Sequence, residues 1–305
     1  MIPKISMAAL ALLIGAHCSS AYAHDSAGAK RVANQKEKTT SEEVDTEHIF
    51  GFTEGSDLGE AGAKELELVS SGRFGKQSGF YAASSTALFY KYSVTDHLRV
   101  APIVSFSSHN ITNVPGPADK SQLMLEGTGA EIRYRLWDRE KGPIGLTLSA
   151  TPFFSRVDAI GGTTTEEYSV EAAVLVDKEI IPGRLFAAFN VAYEPELSRP
   201  GIGSDWQRAS TFGLGAAIST RVAPGLFVGA EARYFRNYEG TGLNTFTGDA
   251  LFMGPTLFRK LSKDWFASLA WNIQVAGHAV GEPGRLDLIN SERHEVRFRL
   301  GVDLH

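Results

Sequence analysis

From residue 63 onward the chain alternates apolar and polar positions with a period of two. Ile132, Tyr134 and Leu136 alternate with Glu131, Arg133 and Arg135. Val170, Ala172, Val174 and Val176 alternate with Glu171, Ala173 and Asp177. Val228, Ala230, Ala232 and Tyr234 alternate with Gly229, Glu231 and Arg233, and Val296 to Leu304 alternate with Glu295, Arg297, Arg299 and Asp303. Such a pattern predicts β-strands with one apolar and one wet face. Twelve segments of this kind are predicted, at 63–71, 79–94, 98–111, 121–137, 144–157, 168–180, 184–194, 206–222, 226–237, 248–261, 265–276 and 291–304. The connections between them are sorted. Short ones (Val94–His97, Asp138–Pro143, Ile181–Gly183, Ala223–Gly225, Ser262–Asp264) alternate with longer ones such as Glu194–Gln207 and Gly277–Arg293.

A soluble sandwich has no reason to sort its turns, whereas an outer-membrane barrel does, with tight turns on the periplasmic rim and larger loops outside. Charges at mid-strand on the wet face agree, because a small soluble barrel needs a packed interior. Aromatic residues fall near strand ends on the apolar face. Tyr92 and Trp265 mark one end, and Tyr168, Tyr193, Trp206 and Tyr234 the other, as in interfacial girdles. Trp137 departs from this, since its parity points inward. The expected fold is therefore all-β: a closed antiparallel transmembrane β-barrel of about 12 strands, with both termini in the periplasm. A secreted soluble β-sandwich is the fold-level alternative.

The first residues change the picture only in location. Lys4, an apolar run over Ile5–Ala16 and Ala21-Tyr22-Ala23 read as a secretory signal cleaved after Ala23, residues 1–23. The single cysteine, Cys18, lies inside it and lacks a lipobox, so disulfides, thiolate metal sites and a Cys nucleophile are not expected. No later apolar run is long enough for a transmembrane helix. Residues 24–62 read as a polar periplasmic N-terminal arm, disordered over 24–47, where Lys30–Glu47 is the most strongly charged and polar part. Residues 63–305 then form the barrel. Within the arm, Phe50 and Phe52 of "HIFGFTEGSDLGEAG" are placed to dock on the rim or enter the lumen. Asp57 and Glu60 are weak candidates for Ca²⁺.

The chain resembles Gram-negative outer-membrane β-barrel proteins of porin-like, uncharacterised type, through its signal, its cysteine-free mature part, its alternating strands and its sorted loops. The box Phe50–Asp57, "FGFTEGSD", is similar to one in such proteins. The resemblance implies a barrel and transfers no functional residue. It also implies outer-membrane lipids as surroundings and barrel-assembly machinery as a partner of the C-terminal strand. That strand ends on His305 where Phe or Trp is usual.

The candidate chemistry is the lumen charge. Parity points Arg133, Arg135, Arg233, Arg297 and Arg299 inward, together with Glu65, Glu67, Glu131, Glu171, Glu231 and Glu295. Charge in a pore sets selectivity, so a channel for passive transport of small hydrophilic solutes is expected. Inward Arg and Glu also pair simply to fill a narrow lumen, and Glu65 and Glu67 are expected to pair with Arg297 and Arg299 across the closing seam. A closed barrel displaying its loops is the alternative. An outer-membrane lipid hydrolase ranks below both, since His109 beside Ser105–Ser108 lacks the His-x-Ser-Asn-Gly pattern. No catalytic set, cofactor site or metal spacing is expected, and a net charge of −5 gives no nucleic-acid signal.

Overall fold

A computed structural model describes residues 44–201 and 203–305. The signal, Cys18 and residues 24–43 lie outside them. The described residues form β1 (Lys64–Phe74), β2 (Phe80–Thr95), β3 (Leu98–Thr112), β4 (Lys120–Trp137), β5 (Gly145–Val157), β6 (Thr164–Ile181), β7 (Leu185–Arg199), β8 (Gln207–Ala223), β9 (Leu226–Glu239), β10 (Thr245–Lys260), β11 (Trp265–Ala279) and β12 (His294–Leu304). Each pairs antiparallel with its neighbours in sequence. β1 and β12 close the barrel in a continuous register from Lys64–Leu304 to Phe74–His294.

The alternation explains the closure. With every strand paired on both sides no edge remains, so a bilayer meets no unsatisfied backbone group. The apolar set stands outward and uncovered: Leu125 is 54% exposed, Ile218 56% and Phe189 46%. Left in water, so large an apolar surface would aggregate. In lipid it is the stabilising face. Val174 sits mid-strand on β6 between Leu148 and Val191. Val174→Arg is expected to cost about 2–4 kcal/mol at the bilayer midplane, measured by urea unfolding in lipid vesicles.

Aromatic groups mark both ends of the apolar band. Tyr92 and Trp265 stand exposed near the turn end. At the loop end Tyr168 packs 5.1 Å from Phe154 and 6.1 Å from Trp206, ring to ring. Trp137, expected to point inward, lies beyond a register shift between Arg135 and Trp137 and is 57% exposed at the rim. The shift ends the parity that the expectation assumed. His305 also stays at this rim, where its Nε2 lies 2.9 Å from Asp264 Oδ1.

The tight turns follow their sequences. In Ile181-Pro182-Gly183-Arg184 the Arg184 amide donates to the Ile181 carbonyl (2.9 Å), with proline at the second position and Gly183 at φ 65°, a type II arrangement. At the opposite end several strands run further than their apolar pattern. β6 begins at Thr164 rather than 168, and β7 ends at Arg199 rather than 194. Backbone pairing continues above the apolar band because polar side chains do not disturb a ladder in water. Glu166 pairs across strands with Arg199 and carries an ion pair to it. The sorted loops are therefore shorter than expected, and 280–293 is the one long connection among the described residues.

Candidate functional site

The lumen contains a chain segment. Residues 44–63 enter at the turn end, reach mid-height at Phe52–Glu54, and return to the start of β1. The arm expected in the periplasm thus lies inside the barrel along 44–62. Its charges are solvated by lumen side chains instead of water, which composition alone does not disclose.

The entering limb is fixed by a buried ion-pair network. Lys91 Nζ lies 2.7 Å from Glu47 Oε1, 2.8 Å from Glu65 Oε1 and 2.7 Å from Glu67 Oε2. Arg99 donates to both oxygens of Glu47, one at 2.8 Å, and to Glu131 at 2.9 Å. His48 lies 3.2 Å from Glu65 Oε2 and stacks on Phe266 with ring centroids 4.0 Å apart. Ile49 and Phe50 are buried with Phe186, Phe227, Phe258 and Phe266, an apolar plug at the turn end of the lumen.

At the tip the backbone itself is held. Glu231 accepts the Phe52 amide (2.9 and 3.0 Å), the Thr53 amide (2.8 Å) and the Asn272 side-chain amide (2.9 Å). Two guanidinium groups stand over the Phe52 ring, Arg233 at 3.6 Å and Arg297 at 4.4 Å from its centroid. The Glu54 carboxylate pairs with Arg133, and its backbone exchanges hydrogen bonds with Asn190 at 2.7 and 2.9 Å. On the return limb Ser56 donates to Asp177 at 2.5 Å and accepts from Thr147 at 2.6 Å. Asp57 accepts from Arg139 at 2.8 Å and from Thr46 at 2.9 Å. The Ala61 amide then donates to Asp96 Oδ1 at 2.9 Å, which seats the exit at the rim.

This geometry accounts for the glycines of "FGFTEGSD". A Cβ on Gly51 would fall 2.3 Å from Glu231 Oε1, and one on Gly55 2.3 Å from the Thr46 carbonyl oxygen. Neither approach tolerates a side chain.

Two sets of three ligand-type residues lie close enough to share an ion, Asp45/Glu47/His48 and His48/Glu65/Glu67. The Lys91 ammonium already lies against Glu47, Glu65 and Glu67 and supplies to them the charge a metal would. Asp57, proposed for Ca²⁺ from sequence, is instead a partner of Arg139 and Thr46.

Each charge picked out by parity has a defined place. Glu131 bridges Arg99 and Arg133 (2.7 Å to the latter), and Arg233 pairs with Glu295. Arg299 Nε donates to Glu67 at 2.6 Å across the seam. Glu65 turns to Lys91 and His48, and Arg297 to the segment. Register gives the reason: Arg297 stands opposite Ser71 and Glu65 opposite Asp303. Arg135 sits at the turn end and donates to the Asp96 carbonyl. Glu171 lines open space. Sequence reasoning missed Lys91 and Arg99, which share the inward parity of their strands, and all the partners on the segment. His109 Nε2 lies 3.2 Å from the Ala159 carbonyl, and none of the hydrogen bonds among the described residues joins it to Ser105–Ser108.

Beyond the tip the lumen is open. One cavity of about 260 Å³ is lined by Phe52, Thr53, Glu54, Arg133, Asn190 and Arg297, against the small residues Ala192, Gly213 and Gly215. A second of about 310 Å³ lies above it toward the loop end. Phe89, Thr151 and Glu171 line both, so the space is continuous.

The segment's docking depends on pH. Burial alone would raise the Glu54 carboxyl, but Arg133, Arg299 and Arg297 hold it down at about 2. A carboxyl depressed by docking contributes fully above its free value near 4.5 and loses that contribution as pH falls through about 2. Burial raises Asp45 to about 6, and Glu65 and Glu47 raise His48 against the effect of its own burial, so these two groups act in the opposite sense. Acidification from pH 7 to pH 3 is expected to increase proteolytic cleavage within 44–63 of the folded wild type more than of Glu54→Gln, which lacks the depressed carboxyl.

The profile of a family described as of unknown function, DUF6662, matches residues 42–304. The chain belongs to that family. The matched region takes in the lumen segment as well as all twelve strands. No curated protein matches the sequence. Among solved structures, the chain is similar to the COG4313 outer membrane channel from Pseudomonas putida F1, at 14% identity and a TM-score of 0.55, over 82% of this chain and 98% of that one. It is also similar to the beta domain of the Bordetella autotransporter BrkA, at 14% identity and a TM-score of 0.49, over 80% and 100% of the two chains. The porin NanC follows at 10% identity and a TM-score of 0.46, over 79% and 99%. The DUF6662 chain thus has the fold of outer-membrane β-barrels.

Proposed function

We propose that the protein is an outer-membrane channel for small hydrophilic solutes, closed by its own 44–63 segment at the periplasmic end. One observation carries this reading. The lumen is wide enough to hold an entering and a returning limb of polypeptide, so with the segment withdrawn it is wide enough for a small solute. The cavity that runs from the segment's tip toward the outer loops, lined by charged side chains as well as apolar ones, supplies the path above it. The tip is held by ion pairs and backbone hydrogen bonds, contacts that water can replace when the segment leaves.

The likeness to a channel of Pseudomonas putida F1 is one of fold, and the reading rests on the lumen rather than on it. A role without catalysis is part of the proposal. The occluded turn end also favours a second reading, a permanently closed barrel that works through its outer loops.

Planar-bilayer conductance of the folded full chain separates them. The channel reading expects rare, brief unitary steps from the wild type and frequent ones from variants that loosen the tip. Silence from all of these, with heat-modifiable gel mobility showing folded barrels, would leave the closed barrel. Arg133 offers a specific check. Because it pairs with Glu54, Arg133→Gln is expected to raise open probability as well as shift ion selectivity.

A further inference from the structure

Near the loop end, the outward face of β6, β7 and β8 carries a groove that is separate from the lumen. Tyr168, Val170, Pro195, Leu197, Arg208 and Thr241 line it, around a cavity of about 200 Å³. Register sets its upper row on the lipid-facing side: Tyr168 stands opposite Leu197, and Leu197 opposite Arg208. Ser169 and Glu196 pair at the floor with their side chains turned to the lumen.

The groove forms where two strands part. Pro195 has no amide to donate, and the pairing of β6 with β7 passes from Ser169–Glu196 to Ala172–Tyr193 with no pair between. Both walls are fixed. On one side Tyr168 packs on Phe154 and Trp206, and its hydroxyl donates to Glu166 at 3.1 Å. On the other side the connection from β9 to β10 leans in. The Gly240 amide donates to the Arg208 carbonyl at 2.7 Å, the Ser210 hydroxyl to the Gly240 carbonyl at 2.8 Å, and the Tyr193 hydroxyl to the Thr241 carbonyl. Walls tied in this way do not collapse onto the floor.

Charge sits at the upper end. The Arg208 side chain is exposed and makes no ion pair among the described residues. Glu166, one row higher on the same face, is already taken by Arg199 at 2.8 Å and by Tyr168. Below the groove the face is apolar through Ala172, Val174 and Val176. An apolar floor that runs into the bilayer, aromatic rings at the level of the interface and a cation above them fit an anionic amphiphile standing in the leaflet beside the barrel.

We propose that this groove binds a phosphorylated, multiply acylated glycolipid of the lipid A type, the anionic lipid of the leaflet that the loop end faces. One acyl chain lies over Val170 and Pro195, between Tyr168 and Thr241. A phosphate lies against Arg208, whose planar fork suits a pair of phosphate oxygens. The proposal holds whether or not the lumen conducts.

The test is native mass spectrometry of the full chain, released from a non-ionic detergent after incubation with diphosphoryl lipid A. Comparison lipids are the same glycolipid without its phosphates and phosphatidylglycerol, an anionic lipid with no sugar backbone. Heat-modifiable gel mobility first shows that each variant is folded. Lipid A is expected to be retained best. Removing its phosphates, or Arg208→Gln, should weaken retention roughly tenfold, the scale of one lost charge-assisted contact. Val170→Trp, which fills the floor with a side chain the lipid face accepts, should weaken it with every charge still in place. Arg259→Gln, at the opposite rim, should leave it unchanged. Retention that ignores the phosphates, that survives Arg208→Gln or Val170→Trp, or that falls equally with Arg259→Gln would overturn the proposal. Equal retention of phosphatidylglycerol would also overturn it, since the groove would then read negative charge in any lipid.

Discussion

Glu231→Ala is expected to turn a mostly silent barrel into a conducting one. The Glu231 carboxylate is 3% exposed and holds the Phe52 amide, the Thr53 amide and the Asn272 side chain. Truncation leaves those three donors without an acceptor in a buried place. Each stranded donor costs about 1–3 kcal/mol, so the docked segment loses on the order of 3 kcal/mol or more. The withdrawn segment recovers its two amides' bonds in water, so most of the loss falls on the closed state. Since about 1.4 kcal/mol is tenfold in an equilibrium, the open-to-closed ratio should rise roughly 100-fold. Glu231→Gln keeps one acceptor oxygen and should fall between. The same truncation removes a negative charge beside Arg233 and Arg297, so the opened lumen should also favour anions more than the wild type does. Open probability and reversal potential in a salt gradient read both effects. A folded Glu231→Ala barrel with wild-type closure would mean that the tip is not what shuts the lumen.

The parts that sequence discloses, and those it conceals, divide along one line. Alternation discloses which side of a strand each residue faces, so the wet and apolar faces of β4, β6, β9 and β12 were legible, and with them Arg133, Glu131, Glu231 and Arg299 as lumen residues. Alternation says nothing about what else enters the lumen. Residues 44–62 have no period and carry many charges, which reads as a solvated arm. Yet Glu47, Glu54 and Asp57 each meet a base of the barrel wall. The clue available was local. Gly51 and Gly55 bracket Phe52-Thr53-Glu54, a spacing suited to close backbone approach on both sides of a turning point. The expected seam pairs failed partly for a similar reason. Parity selects a face but not a height along the barrel, and a register offset places Arg297 opposite Ser71. The polar outer ends of β6 and β7 were missed because a strand above the bilayer needs no apolar side.

Lys91→Met is expected to cost the barrel at least as much stability as a charge placed mid-strand on its outward face. The ammonium is 3% exposed and stands within 2.8 Å of three carboxylates, Glu65 and Glu67 on β1 and Glu47 on the segment. Methionine fills similar space and removes the charge. Three buried carboxylates are then left to Arg99, Arg299 and His48, and breaking a buried ion pair from one side costs about 3–5 kcal/mol. Urea unfolding in lipid vesicles, followed by tryptophan fluorescence, should show a loss of that size. The excess negative charge, rather than lost packing, is the cause, and this can be tested within one background. Glu47→Gln added to Lys91→Met should restore part of the stability, although Glu47→Gln alone should reduce it, because Arg99 and Lys91 each lose one of their carboxylate partners. Lys91→Arg keeps the charge, but its planar fork cannot meet three carboxylates as a compact ammonium does, so it should fall between. If the double variant is no more stable than Lys91→Met, the carboxylates are neutralised in some other way and the network does not organise the turn end of the lumen.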